Sequence, residues 1–174
     1  MTGTLFITGR SAHELPVPVC FRMTYRFTMR ITSPAFQDGT AIPAKYTCDG
    51  NDVIPPLRFE EIPEGTVSLA LIVDDPDAPR GTWDHWVLWN IPVGTTQVSE
   101  GTEPGGVPGK NSWGRTGWGG PCPPDREHRY FFRLYALDSV LALAEGSTKV
   151  DLMKAMQSHI LAETKLMGRY DRIR

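Results

Sequence analysis

Residues 67–79 read Val67-Ser68-Leu69-Ala70-Leu71-Ile72-Val73-Asp74-Asp75-Pro76-Asp77-Ala78-Pro79, and this stretch decides the fold. Its first half is apolar at nearly every position. A strand of that kind is covered on both faces and lies in the middle of a sheet. It then stops abruptly, because Pro76 and Pro79 lack an N–H donor and stiffen an exposed corner. Asp75 and Asp77 share parity with Leu71 and Val73, so both continue one face of the strand. Taken alone, acids at such a corner serve a turn as readily as a ligand. Either carboxylate can accept a hydrogen bond from a neighbouring histidine or from turn backbone. A cis Ala78–Pro79 bond also suits the corner.

Outward from this strand the pattern repeats. Residues 83–91 (WDHWVLWNI) and 129–137 (RYFFRLYAL) read as two more buried strands, and alternation over Tyr25–Ile31 marks a first one. Residues 34–56, punctuated by Gly39, Pro43, Gly50 and the Pro55-Pro56 pair, read as loop. The long segment 92–127 is rich in glycine and proline, yet Trp113 and Trp118 argue against disorder. A helix is expected over Lys149–Thr164, with Thr148 as its cap and Asp151 as the capping-box partner. Leu152, Met153, Met156 and Ile160 form its apolar stripe, read as core packing. A weaker helical piece follows Asp138. Strands, long loops and a late helix predict a mainly β fold, a β-sandwich with peripheral helices.

Bulk properties narrow the function. The 174 residues suit one domain, with 40% hydrophobic and 22% charged residues, and the 17 glycines and 15 prolines favour a turn-rich β fold. The net charge of −2 supplies no basic field for nucleic acid. No apolar run approaches the ~18 residues that span a bilayer, so stable membrane insertion is not expected. The three cysteines, Cys20, Cys48 and Cys122, are too few and too scattered for a disulfide framework or a cysteine-ligated zinc site. Free thiols are the favoured reading, with a Cys48–Cys122 bridge as the alternative. Residues 1–24 carry no export pattern and read as a disordered extension, or as a start placed ahead of Met23 or Met29; residues 25–174 form the domain. The cytoplasm is the expected location.

Two further clusters carry chemistry. His85 lies between Trp83 and Trp86, and strict alternation places it on one face with Trp83, Val87, Trp89 and Ile91. A lone histidine there is as readily a core residue. The other cluster is Gly119-Gly120-Pro121-Cys122-Pro123-Pro124 followed by Glu127-His128-Arg129-Tyr130. His128 shares parity with Tyr130, Phe132 and Leu134, so its ring and the Tyr130 hydroxyl should edge one pocket. The glycines permit close approach of a ligand and can turn amides towards an anion. Motifs for serine hydrolases, zinc proteases, P-loops and dinucleotide binding do not occur. Cys122, set between two prolines, reads as structural.

Together these clusters resemble the phosphatidylethanolamine-binding protein family, and within it the bacterial and archaeal Raf-kinase-inhibitor-like branch. The resemblance runs in order over about residues 26–170. It rests on Ile31-Thr32-Ser33-Pro34-Ala35-Phe36, Ile42–Gly50, Ser68–Pro79, Trp83-Asp84-His85-Trp86-Val87, Gly119–Pro124, His128-Arg129-Tyr130 and Leu161-Ala162-Glu163. It implies a Greek-key pair of antiparallel sheets with a shallow pocket for phosphate-like groups. By this resemblance Asp75, His85, His128 and Tyr130 line the pocket, with Asp77, Trp83, Gly120 and Pro121 close by. It implies binding of phosphates, phospholipid head groups or small carboxylates, inhibition of a kinase or protease as a partner, and a homodimer. No cofactor is implied. Two departures stand out: Asp125-Arg126-Glu127 precedes His128 where relatives often carry glycine, and Trp118 stands where many have tyrosine.

Two histidines beside a carboxylate can donate N–H bonds to an anion, and binding should then tighten as pH falls towards the ordinary histidine value of ~6.5. The rival reading is an enzyme. Asp75, His85 and His128 also make a two-histidine, one-carboxylate set for a metal, or a base for phosphoester hydrolysis. An interaction module acting through its loops is the third reading.

Overall fold

The computed structural model describes residues 28–172. The expected extension over residues 1–24 and the start of the first expected strand, Tyr25–Phe27, lie outside these. Two antiparallel sheets make the architecture. Strands β1 (Arg30–Thr32), β2 (Leu57–Glu60) and β5 (Gln97–Val98) form a small sheet in the order β1-β2-β5. Strands β6 (Val107–Pro108), β4 (Trp83–Pro92), β3 (Ser68–Asp75), β7 (His128–Leu137) and β8 (Ile160–Tyr170) form the large one, in the order β6-β4-β3-β7-β8. The chain leaves the β3–β4 hairpin, visits the small sheet, and returns to lay β7 on the other side of β3. That return is a Greek-key connection.

Strand β3 is buried at every position, as its two-faced apolar sequence demands. On one side Leu69, Leu71 and Val73 meet Ile31, Leu57, Phe59 and Val98 of the small sheet. On the other side Ala70 and Ile72 join Leu152 and Met156 of α1 (Lys149–Met156). The helix begins where expected: the Thr148 side chain accepts from the Asp151 N–H, and Asp151 accepts from the Thr148 N–H.

Several expectations fail, each for a tertiary reason. The helix ends at Met156, not Thr164, and residues 160–170 are strand β8. Strand β7 would otherwise leave a row of backbone groups without partners, and β8 pairs with it from His128↔Tyr170 to Leu137↔Ile160. Met153 faces outward, 39% exposed, so the helical stripe is narrower than expected. The segment after Asp138 is bends and turn without helix. The long segment 92–127 contains β5 and β6. All peptide bonds among the described residues are trans, including Ala78–Pro79. Cys48 and Cys122 are bridged, which overturns the reading of free thiols. Their Cα atoms stand 5.4 Å apart because the turn after the 3₁₀ segment Ala44–Tyr46 packs on the 119–122 loop, where the Cys48 N–H donates to the Pro121 carbonyl at 3.1 Å.

Candidate functional site

The ends of three neighbouring strands converge at one end of the large sheet. Strand β3 ends with Asp75, β4 begins with Trp83 and His85, and β7 begins with His128 and Tyr130. Strict alternation would carry His85 to the same face as Val87 and Trp89. Instead a register shift leaves His85 as the one extra residue between the pairs Val73↔Trp86 and Asp74↔Asp84. Trp83 and His85 therefore share a face with Trp86 and Leu88, while Val87 and Trp89 pack on the helix side. A second shift near Asn90 (φ +53°) returns Ile91 to the first face. His85 thus lies edge-on to Tyr130, with ring centroids 5.2 Å apart.

His128 is fully buried and holds a carboxylate at each ring nitrogen, Asp75 at 2.7 Å from Nδ1 and Asp125 at 2.9 Å from Nε2. A neutral imidazole has one N–H, so these contacts suit the doubly protonated ring. Burial pushes its pKa down, but hydrogen bonds to Asp75 and Asp125 outweigh this and leave it raised. His85 is the opposite case. Burial lowers its pKa more than the Gly119 carbonyl, 2.6 Å from Nδ1, raises it. A carbonyl only accepts, so Nδ1 carries the proton and neutral His85 keeps a lone pair on Nε2. Asp77 turns away from the strand face and grips Arg129: it accepts from Nε and Nη2, both at 2.8 Å, and from the backbone N–H at 3.0 Å. The guanidinium holds the Asp77 pKa at about 2, against the opposing effect of burial.

These strand ends floor a cavity of about 650 Å³. Of the expected ligand-binding residues, Asp75, Trp83, His85, Gly120 and Tyr130 line it. His128 stands behind Asp75, Asp77 is spent on Arg129, and the Pro121 carbonyl accepts from Cys48; none of these three lines the cavity. The glycine loop is present, but its amides are already engaged: the Gly119 N–H donates to the His85 carbonyl and the Gly120 N–H to Asp52 Oδ1 at 2.7 Å. Sequence reasoning missed Arg80, Trp113, Arg115 and the Cys48–Cys122 pair as parts of the wall. Arg80 directly follows the acidic corner, and the tryptophans of the 92–127 segment hinted at a folded loop. Asp52 (φ +53°) gave no signal.

The Tyr130 hydroxyl is fully buried; the Cys122 backbone amide approaches its oxygen, but its own O–H has no acceptor within the protein. Such a group is costly to leave unsatisfied. Burial raises its pKa, so it remains a donor. The metal arrangement is not built: both His128 nitrogens face carboxylates, and no metal-binding trio of His, Cys, Asp or Glu is gathered among the described residues. Nor is any helix among them long and apolar enough to cross a membrane.

The comparisons with known proteins agree with this architecture. A family profile described as Phosphatidylethanolamine-binding protein matches residues 32–171. A UPF0098 protein of Methanothermobacter thermautotrophicus is 49% identical over 150 residues, covering 83% of this chain and 99% of the relative. One from Chlamydia pneumoniae is 46% identical over 149 residues, with 83% and 99% covered. Among solved structures, a phosphatidylethanolamine-binding protein homolog from Chlamydia trachomatis superimposes with a TM-score of 0.82 at 44% identity, over 84% of this chain and 99% of the other. E. coli YbcL, described as a new member of the mammalian family, does so with a TM-score of 0.77 at 28% identity, over 83% and 99%. The chain belongs to the phosphatidylethanolamine-binding protein family.

Proposed function

We propose that this protein binds a small anionic ligand, a phosphate-bearing head group or a carboxylate, in the cavity at the ends of β3, β4 and β7. The observation that carries the reading is Tyr130, a cavity-lining residue whose buried O–H has no acceptor within the protein. A ligand oxygen supplies the missing acceptor. His85 with its proton on Nδ1 complements this donor, because Nε2 accepts from a hydroxyl or from the P–OH of hydrogen phosphate. The cavity falls within the ~300–1,000 Å³ typical of small-molecule sites. Hydrolysis through an Asp75–His128 base is less well supported, since both nitrogens of that ring face carboxylates and His128 does not line the cavity. Modulation of a kinase or protease would use the same mouth, where Trp113 is 44% exposed.

Calorimetric titration with phosphate and phosphoethanolamine tests the reading. Binding should weaken roughly tenfold or more in Tyr130→Phe, the worth of a hydrogen bond to a charged group. Because burial lowers the His85 pKa, tightening through its protonation should begin below ~6.5, lower than the sequence alone suggested. Absence of heat with both anions and with small carboxylates would sink the proposal.

A further inference from the structure

Two carboxylates share the His128 ring, and they come from different parts of the fold. Asp75 ends strand β3 and is buried, so its bond to Nδ1 at 2.7 Å belongs to the sheet. Asp125 reaches Nε2 at 2.9 Å from the bends at residues 124–126, and its side chain is 45% exposed whereas that of His128 is fully buried. Cys122 and Pro124 of the same segment wall the cavity, as do Asp75 and Tyr130 of the sheet. The Asp125 contact therefore lies at the edge of the cavity. Its hydrogen bond to His128 holds the Asp125 carboxyl below the ordinary carboxylate range, so the group is charged at neutral pH. One positive ring between two carboxylates is overmatched, and it repels a third anion.

We propose that Asp125 is a built-in competitor for the site: its carboxylate occupies the His128 N–H that an incoming anion would otherwise take, and binding proceeds by displacing it. This rests on the anion-binding reading and adds an autoinhibitory contact to it. The second Asp125 oxygen accepts from Arg126 Nη1 at 2.9 Å, a contact within the same segment that travels with the carboxylate. Turning Asp125 outward thus breaks its bond to Nε2 and keeps its ion pair. The N–H left behind is a charge-assisted donor, and a phosphate or carboxylate oxygen matches it in kind. Exchanging one anion for another at that donor costs little. Uncovering the donor with nothing in its place leaves a buried group unsatisfied, so the segment stays closed until an anion takes over.

The test uses the full chain, with inorganic phosphate and phosphoethanolamine as probes and calorimetry at neutral pH as the readout. Asp125→Asn and Asp125→Ala should each bind the probes roughly tenfold more tightly than wild type, because the charge-assisted bond to His128 is no longer contested. Adding His128→Gln to either variant should abolish the gain. Glu127→Gln is the control for a general charge effect: it removes a carboxylate of the same segment that pairs with Arg169 at 3.8 Å, and its affinity should stay near that of wild type. Without ligand, NMR titration of the His128 ring should show a lower pKa in both Asp125 variants, as the loss of one carboxylate requires. Circular dichroism and melting of each variant separate changed binding from changed fold. If wild type binds and the Asp125 variants bind no more tightly, or Glu127→Gln gains as much as they do, this inference falls and the anion-binding reading stands. Absence of binding in every form, the Asp125 variants included, removes both.

Discussion

Single side chains set the electrostatics of the site. A histidine whose folded pKa is raised adds stability that is complete below its unfolded value, near 6.5, and is lost as pH rises through the folded value. His128→Gln should therefore cost most at pH 6, and the gap to wild type should narrow as pH climbs above the raised pKa. Urea unfolding from pH 6 to pH 9 reads this directly, and a gap independent of pH would show that the ring is not charged in the fold. Gly120 makes a steric prediction. A Cβ there would stand 2.5 Å from the Tyr46 carbonyl oxygen and 3.0 Å from Thr47 Cα, both backbone atoms that cannot swing aside. Gly120→Ala should lower stability by about 1–3 kcal/mol and loosen the Asp52 contact; an unchanged urea midpoint would contradict that packing. The parity of Asp75, His128 and Tyr130 was legible from alternation alone. The employment of Asp77 was not, because it depends on Arg129, which lies 52 residues away in sequence.

At the scale of elements, strand β4 is the instructive case. Its two register shifts place Trp83, His85, Trp86, Leu88 and Ile91 on one side and Val87 and Trp89 on the other, an order no simple alternation produces. The shift near Asn90 is held by its left-handed backbone and by two side-chain bonds to Leu141, to the carbonyl at 3.0 Å and from the N–H at 2.9 Å. Asn90→Ala loses both bonds and keeps an unfavourable conformation, so it should cost roughly 2–4 kcal/mol. Asn90→Gly should cost less, since glycine adopts that conformation freely. Equal losses in the two variants, measured by urea unfolding, would assign the whole effect to the bonds. Residues 160–170 teach the same lesson: intrinsic preference for helix yields where a neighbouring strand needs a hydrogen-bonding partner.

For the whole molecule, the Cys48–Cys122 bridge ties two loops 74 residues apart and forms part of the cavity wall. Closing a loop of that length restricts the unfolded chain, typically by about 2–4 kcal/mol. A dithiol reductant, or Cys48→Ser with Cys122→Ser, should then lower the Tm by roughly 5–15 °C, and ligand affinity should fall with it. A Tm indifferent to reductant would show that the bridge does not stabilise the fold. By itself the sequence determined the two-faced burial of β3, the capped start of α1, and the shared faces of Asp75 with Leu71 and Val73 and of His128 with Tyr130. Those features follow from periodicity and capping, which act over a few residues of backbone. Only the tertiary structure decided which face His85 takes, that residues 160–170 pair as a strand, that the cysteines join, and that Arg80, Trp113 and Arg115 line one cavity. Each of these depends on a partner distant along the chain, and a local pattern holds no record of that partner.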